Sequence, residues 1–184
     1  KSGEESKKHT MVEMLASKSL QPLVKWSGGK GREIDHFSSY YPKDFTTYVE
    51  PFVGGGAVFF DLNSPKNVIA DVHQELINFY VQVKGGAANR IYDMVTSYPA
   101  DETGYYFVRD KLDHSDPVVS AARFFYLRKT AFRGMLRYNS HGKFNIPWGR
   151  YKNVSFESIL NPAYTALLQA TDVHLCPFGE IFEM

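Results

Sequence analysis

The chain has one cysteine, Cys176, in 184 residues, which excludes an internal disulfide and a cysteine-based zinc cluster. Its six histidines are scattered, with no metal-ligand spacing among them. No apolar run approaches the ~18 residues of a membrane span. The polar start, Lys1 to Lys8, lacks the apolar stretch of a secretory signal. These absences lead to the expectation of a cytoplasmic, reducing setting. A further absence is local: no Asp or Glu lies between Pro117 and Phe156, a stretch that holds Arg123, Arg128, Lys129, Arg133, Arg137, Lys143, Arg150 and Lys152. The overall net charge of +1 conceals this asymmetry. A basic segment in an otherwise balanced protein marks a local polyanion site. A solvated helix face is the plainer reading, but such faces usually mix signs.

What is present is an alternation of strand and helix patterns. With 43% apolar residues, the chain can bury a core as one domain, with room for an inserted lobe. Residues 1–19 read as a flexible tail. The pattern predicts a helix over Ile34 to Tyr41 stopped by Pro42, a strand over Thr46 to Phe52, and a helix starting at Ala57. A second strand is expected over Asn67 to Asp71. An amphipathic helix follows over His73 to Lys84, with Leu76, Ile77, Tyr80 and Val83 at helical spacing. Helices fill the middle, the clearest over Val118 to Phe132. Arg137 to Phe144, with Asn139 and Gly142 as turn formers between aromatics, reads as a hairpin. Ser155 to Gln169 is a helical pattern broken around Pro162. Val173 to Cys176 reads as a third strand, and Gly179 to Met184 starts another helix. Alternating strands and helices imply an α/β fold with a parallel sheet.

The most informative stretch is Tyr48-Val49-Glu50-Pro51-Phe52-Val53-Gly54-Gly55-Gly56-Ala57, a strand, a glycine loop and a helix start in succession. Glycines let the backbone turn tightly and approach a ligand closely. Asp71 ends the next strand, where a carboxylate can accept hydrogen bonds from ribose hydroxyls. A glycine triplet alone marks only a tight turn. The flanking strand and the later acid point to an adenosine-containing ligand. Glu50, beside the loop, would repel a pyrophosphate but suits the ammonium and sulfonium of S-adenosyl-L-methionine. The third glycine of a dinucleotide fingerprint is replaced by Phe59.

Lys25-Trp26-Ser27-Gly28-Gly29-Lys30, then Glu50 to Gly56, then Ile69-Ala70-Asp71 resemble three ordered motifs of the Dam-type (D12 class) DNA adenine N6-methyltransferases. Arg137-Tyr138-Asn139, followed by Gly142-Lys143-Phe144-Asn145-Ile146-Pro147-Trp148-Gly149-Arg150-Tyr151, resembles that family's target-recognition region. The resemblance implies a Rossmann-like methyltransferase fold with an inserted, mainly helical DNA-recognition lobe carrying a β-hairpin. Residues 20–84 and 170–184 would form the cofactor part and 85–169 the lobe. It implies that Trp26 and Lys30 line the cofactor pocket with Glu50, Gly54 and Gly56. Asp71 would bind the ribose, and Phe178 would lie near the adenine. From the residues alone, Trp26 fits core packing and Lys30 a surface lysine.

The recognition block combines cations, aromatics and amides. Arg and Lys neutralise phosphates. Asn pairs bidentately with adenine and Arg with guanine. An enzyme acting on adenine N6 must flip the base out of the duplex, and Tyr138 is suited to stack on a base or fill the gap. The residues expected to face double-stranded DNA are Lys25, Arg133, Arg137, Tyr138, Asn139, His141, Lys143, Asn145, Arg150 and Tyr151. A buried aromatic hairpin with peripheral charges is the alternative. Members reading Gly-Ala-Thr-Cys sites often carry Leu-Arg where this chain has Ser140-His141, which leaves the target sequence open.

The family's Asp-Pro-Pro-Tyr motif, which accepts the amino hydrogens of the target adenine, does not occur among the 184 residues, so no catalytic residue is assigned. The single Asp-Pro pair, Asp116-Pro117, is followed by Val118-Val119. In the family's sheet the first strand lies between the second and a fourth. The expectation is therefore an incomplete sheet with Val49 on an open edge, and a chain inert by itself. A fragment of a longer enzyme, a second polypeptide completing the site, and a pseudoenzyme kept as a nucleic-acid-binding or scaffold subunit all fit. The family-level function is site-specific transfer of a methyl group from S-adenosyl-L-methionine to adenine in duplex DNA, as in restriction-modification systems.

Overall fold

The computed structural model describes residues 19–99 and 101–183. The expected tail, apart from Ser19, and the last residue of the expected final helix lie outside the described residues. Three strands form a parallel sheet in the order β1 (Tyr48–Glu50), β2 (Asn67–Asp71), β3 (Thr171–Leu175). Asn67 ties the starts of β2 and β3 together, donating to Ser64 O at 2.7 Å and Thr171 Oγ1 at 3.3 Å. The register sets Glu50 opposite Ile69 and Asp71 opposite Leu175. Glu50 and Asp71 therefore both end at the carboxyl edge of the sheet, the side on which open α/β folds bind ligands.

Four of the helices begin at side-chain caps. The helix expected over Ile34 to Tyr41 is instead α1 (Ile34–Phe37) flanked by the 3-10 turns Lys30–Arg32 and Ser38–Tyr40. Tyr41 leaves helical geometry (φ −58°, ψ 137°), the conformation that the following proline favours. α2 (Ala57–Leu62) follows the glycine loop directly. α3 (Gln74–Lys84) has His73 as its N-cap, with the ring accepting from the Leu76 N–H. α4 (Ala88–Ser97) and α5 (Glu102–Asp110) follow. α6 (Pro117–Thr130) is capped by Asp116, whose Oδ1 accepts from Val118 N and Val119 N at 2.8 and 3.0 Å. A carboxylate cap followed by proline in the first turn is a local helix start, and it accounts for the chain's one Asp-Pro pair. α7 (Pro162–Gln169) uses Asn161 as cap after a 3-10 turn at Glu157–Leu160. The expected last helix is a 3-10 turn, Glu180–Phe182.

Helix α3 packs against α6, α7 and β3, and α6 in turn covers α4 and α5. One hydrophobic cluster runs through Leu23, Phe60, Ile69, Leu76, Phe125 and Leu168. The other face of β2 carries a smaller one of Ala70, Cys176 and Ile181. β1 has β2 on one side and, among the described residues, no strand on the other; Val49 is 40% exposed. No helix among the described residues is long and apolar enough to cross a membrane.

Candidate functional site

The carboxyl end of β1 opens on a cleft of about 370 Å³ lined by Trp26, Gly28, Lys30, Glu50, Phe52, Gly54 and Gly56. Gly54 and Gly56 have φ of +47° and +71°. A Cβ on Gly54 would lie 2.7 Å from Trp26 Nε1, and one on Gly56 2.9 Å from Phe60 Cε2. Only glycine fits these positions. The loop is braced from behind. The Gly54 N–H donates to Asp71 Oδ2 at 3.0 Å, and the Tyr80 hydroxyl donates to Gly54 O at 2.8 Å. Asp71 Oδ1 accepts from the His73 N–H at 2.9 Å. Asp71 is not among the residues lining the cleft; each of its oxygens keeps a lone pair for a further donor. The brace from Tyr80 has no sequence signal beyond a tyrosine on an apolar helix face.

Glu50 is the carboxylate that faces the cleft. Burial pushes it from its ordinary value near 4.5 up to about 7, against the opposing pull of the Tyr48 hydroxyl that donates to Oε2 at 2.8 Å. Phe52 and Phe178 pair at 5.2 Å between centroids, and both are exposed at the rim, 67% and 55%. Lys30 is exposed beside Glu33 at 3.5 Å, a surface ion pair of little stabilising worth. Trp26, half-buried, covers Gly54 and meets the His73 ring edge-on at 5.4 Å.

Of the cations in the basic stretch, two are buried, Lys129 is half-buried and the rest are exposed, and an acid from outside the stretch balances one of them. Arg123 is 6% exposed; it pairs with Glu75 of α3 at 2.9 Å and donates to Val108 O and Arg109 O. Arg128 is fully buried and donates to Lys25 O, Gly134 O and Met135 O. A guanidinium left without carboxylates in a dry interior uses its fork to collect carbonyls. Lys25, Arg133, Arg137, Lys143, Arg150 and Lys152 are exposed. Lys25 brings the cleft loop to this surface. Its ammonium sits 4.0 Å from the Tyr151 ring centroid and its stem abuts Gly134. Arg133 (φ +52°) and Arg150 (φ +54°) are both left-handed, which costs a non-glycine residue roughly 1–2 kcal/mol. Their strands of chain lie side by side: Phe132 N donates to Pro147 O, and Ala131 bridges Trp148.

Between these arginines the chain folds back over residues 137–145. One antiparallel bridge, Tyr138 to Phe144, holds the fold-back, with Asn139 N donating to Lys143 O at 2.9 Å and Asn145 N to Arg137 O at 3.1 Å. Asn139 Oδ1 accepts from both His141 N and Lys143 N, at 2.9 and 3.0 Å. Both oxygen lone pairs are thus committed to the turn, and Asn139 offers a partner only N–H donors. Arg137 Nε donates to Asn145 Oδ1 at 2.8 Å. His141 is exposed. Tyr138 is turned inward, half-buried, with its hydroxyl between His73 Nε2 at 2.9 Å and Glu75.

Comparison with known proteins identifies relatives. The D12 class N6 adenine-specific DNA methyltransferase family matches residues 26–184. The chain is 46% identical over 166 residues to the type II methyltransferase M.CviBI of Paramecium bursaria Chlorella virus NC1A, covering 89% of this chain and 64% of that protein. It is 33% identical over 168 residues to the DNA adenine methylase of Haemophilus influenzae, covering 89% and 59%. With the DNA adenine methylase of Escherichia coli K12 the identity is 35% over 144 residues, covering 76% and 51%. The chain therefore spans between half and two thirds of the length of these relatives. A family match over most of the chain, on a parallel sheet with a glycine loop at its carboxyl edge, makes this chain a member of the D12 class N6 adenine-specific DNA methyltransferase family.

Proposed function

We propose that the chain serves site-specific transfer of a methyl group from S-adenosyl-L-methionine to N6 of adenine in double-stranded DNA. The observation that carries this reading is the junction at Lys25 and Trp26. Trp26 roofs the glycine cleft, while the residue before it, Lys25, packs on Tyr151 within the exposed basic face. A small-molecule cleft thereby adjoins a surface suited to phosphates.

The donor supplies an electrophilic methyl group on a sulfonium. This chain's residues supply its berth. The cleft volume lies near the low end of the ~300–1,000 Å³ usual for small-molecule sites. Glu50 faces the positive amino acid end, and its position disfavours a diphosphate. Phe52 and Phe178, packed on each other at the rim, offer an exposed aromatic surface for a flat ring. Asp71 takes the ribose hydroxyls with its remaining lone pairs. Residues 20–84 and 170–184 make up this cofactor part, and 85–169 a recognition lobe whose fold-back reaches DNA. There Arg133, Arg137, Lys143 and Arg150, with Lys25, meet phosphates, while Asn139, His141 and Asn145 face base edges. The open edge of β1 at Val49 is where a further strand, from the same or another polypeptide, would add.

The test is incubation of the natural protein carrying this sequence with duplex DNA and a methyl-labelled donor. Label on adenine N6 is the expected result. Salt-dependent DNA binding with no donor binding would instead favour a nucleic-acid-binding pseudoenzyme.

A further inference from the structure

We infer that His73 and Glu75 are positioning residues that join the glycine loop to the recognition turn through Tyr138, so that filling one site changes affinity at the other. The inference rests on the proposed function for the identity of the two ligands. The connection itself is a continuous series of matched hydrogen bonds. His73 Nδ1 accepts the Leu76 N–H at 3.2 Å, so the neutral ring carries its proton on Nε2. That N–H donates to the Tyr138 hydroxyl at 2.9 Å. The hydroxyl donates to Glu75 Oε2, and Glu75 Oε1 accepts from Arg123. Burial lowers the His73 pKa and raises that of Tyr138, so both stay neutral and each donor keeps its acceptor.

At the cleft end, His73 is held twice. Its N–H lies on Asp71, whose other oxygen holds Gly54 N–H. Its ring meets the edge of Trp26, which covers Gly54. A ligand that shifts the glycine loop or Trp26 therefore shifts His73. At the other end, Tyr138 is one half of the bridge that closes the turn around Asn139. Displacing its hydroxyl moves Asn139 and Lys143 with it. The turn also has room to move: a cavity of about 790 Å³ adjoins Tyr138 and is lined in part by His73, Glu75, Lys143 and Phe144. A network of this kind in a half-dry site has two discrete arrangements, made or broken, rather than a continuous range.

The experiment is a thermodynamic cycle by titration calorimetry on the natural protein carrying this sequence. Affinity for S-adenosylhomocysteine is measured with and without a saturating cognate duplex. The unaltered protein should show coupling of about fivefold or more. His73→Asn keeps a cap acceptor for the Leu76 N–H and removes the arm to Tyr138. It should bring the coupling close to one, with each ligand's separate affinity changed by less than about twofold. Tyr138→Phe removes that bond together with the one to Glu75, so it should also bring the coupling close to one, and the double variant should go no lower. If His73→Asn does not fold, Tyr138→Phe alone carries the test. Coupling that is absent in the unaltered protein, or unchanged in the variants, overturns the inference and leaves the proposed function standing. Failure of S-adenosylhomocysteine to bind at all overturns both.

Discussion

Asp71 holds the Gly54 N–H at 3.0 Å from the end of the neighbouring strand, and with its other oxygen it holds His73 N–H at 2.9 Å. The acid that family resemblance assigns to ribose is thus also the brace of the glycine loop. Asp71→Asn retains one acceptor oxygen and turns an NH₂ toward the other N–H. Each buried donor left unpaired costs about 1–3 kcal/mol, so unfolding in urea should shift by about that amount. Donor binding should weaken by an order of magnitude or so, since both the brace and the proposed ribose contact are lost. An unchanged urea midpoint would show that Asp71 acts on ligand alone.

Glu50 gives the cleft a pH dependence with a definite sign. Its carboxyl is raised by burial from about 4.5 to about 7, so the folded protein holds a proton that the unfolded chain has released. Glu50 therefore favours folding below about pH 4.5, and that contribution is lost as pH rises to about 7. A cationic ligand reverses the preference, because it favours the carboxylate. Donor affinity should fall as pH drops below about 7, and binding near neutrality should release a proton. Calorimetry in buffers of different ionisation enthalpy reads that proton. Glu50→Gln should abolish the release and flatten the stability slope; a release that persists in this variant assigns it elsewhere.

Arg128 should be the most costly cation to remove. Its guanidinium satisfies carbonyls of Lys25, Gly134 and Met135, which fixes the cleft loop against the basic surface. Arg128→Met leaves these carbonyls without their donor, at about 1–3 kcal/mol for each that water cannot reach. Arg128→Lys should rescue only part of the loss, because a single ammonium cannot span the fork. Denaturant unfolding of both variants checks this. Equal stability of the methionine and unaltered proteins would refute the structural role.

What sequence makes legible here is local. Asn67–Asp71 stands out because a short apolar run ends in an acid, and it is β2 with the expected bounds. The glycine loop is legible because only glycine satisfies its left-handed turns beside Trp26. The fate of a cation is not legible. Arg128 and Arg150 look alike in a row of letters, yet one reaches a carbonyl 103 residues away and is buried, while the other is exposed. Tyr138 likewise suits an outward, base-facing role in sequence. Its inward turn depends on His73, 65 residues earlier, which local pattern cannot supply. The helix expected over Ile34 to Tyr41 breaks because no apolar face pays for its continuation: none of its residues is buried.

The exposed left-handed arginines permit a test that separates charge from fold. Arg133 and Arg150 hold φ near +50°, where glycine is unstrained. Replacing either by glycine removes the cation while keeping the backbone, so stability should stay within about 1 kcal/mol of the unaltered protein. If each side chain neutralises one phosphate, each substitution should reduce the slope of log K against log salt by about 0.9. The weakening should be the same for cognate and unrelated duplexes, because phosphate contacts carry no sequence information. Alanine at the same positions should lose the same slope and, since it keeps the left-handed strain that glycine relieves, should be less stable than the glycine variant. Fluorescence anisotropy over a salt series reads the slope, and thermal unfolding reads the strain. A glycine variant with an unchanged salt slope would remove that arginine from the DNA face, and a loss confined to one duplex would move it from phosphate to base.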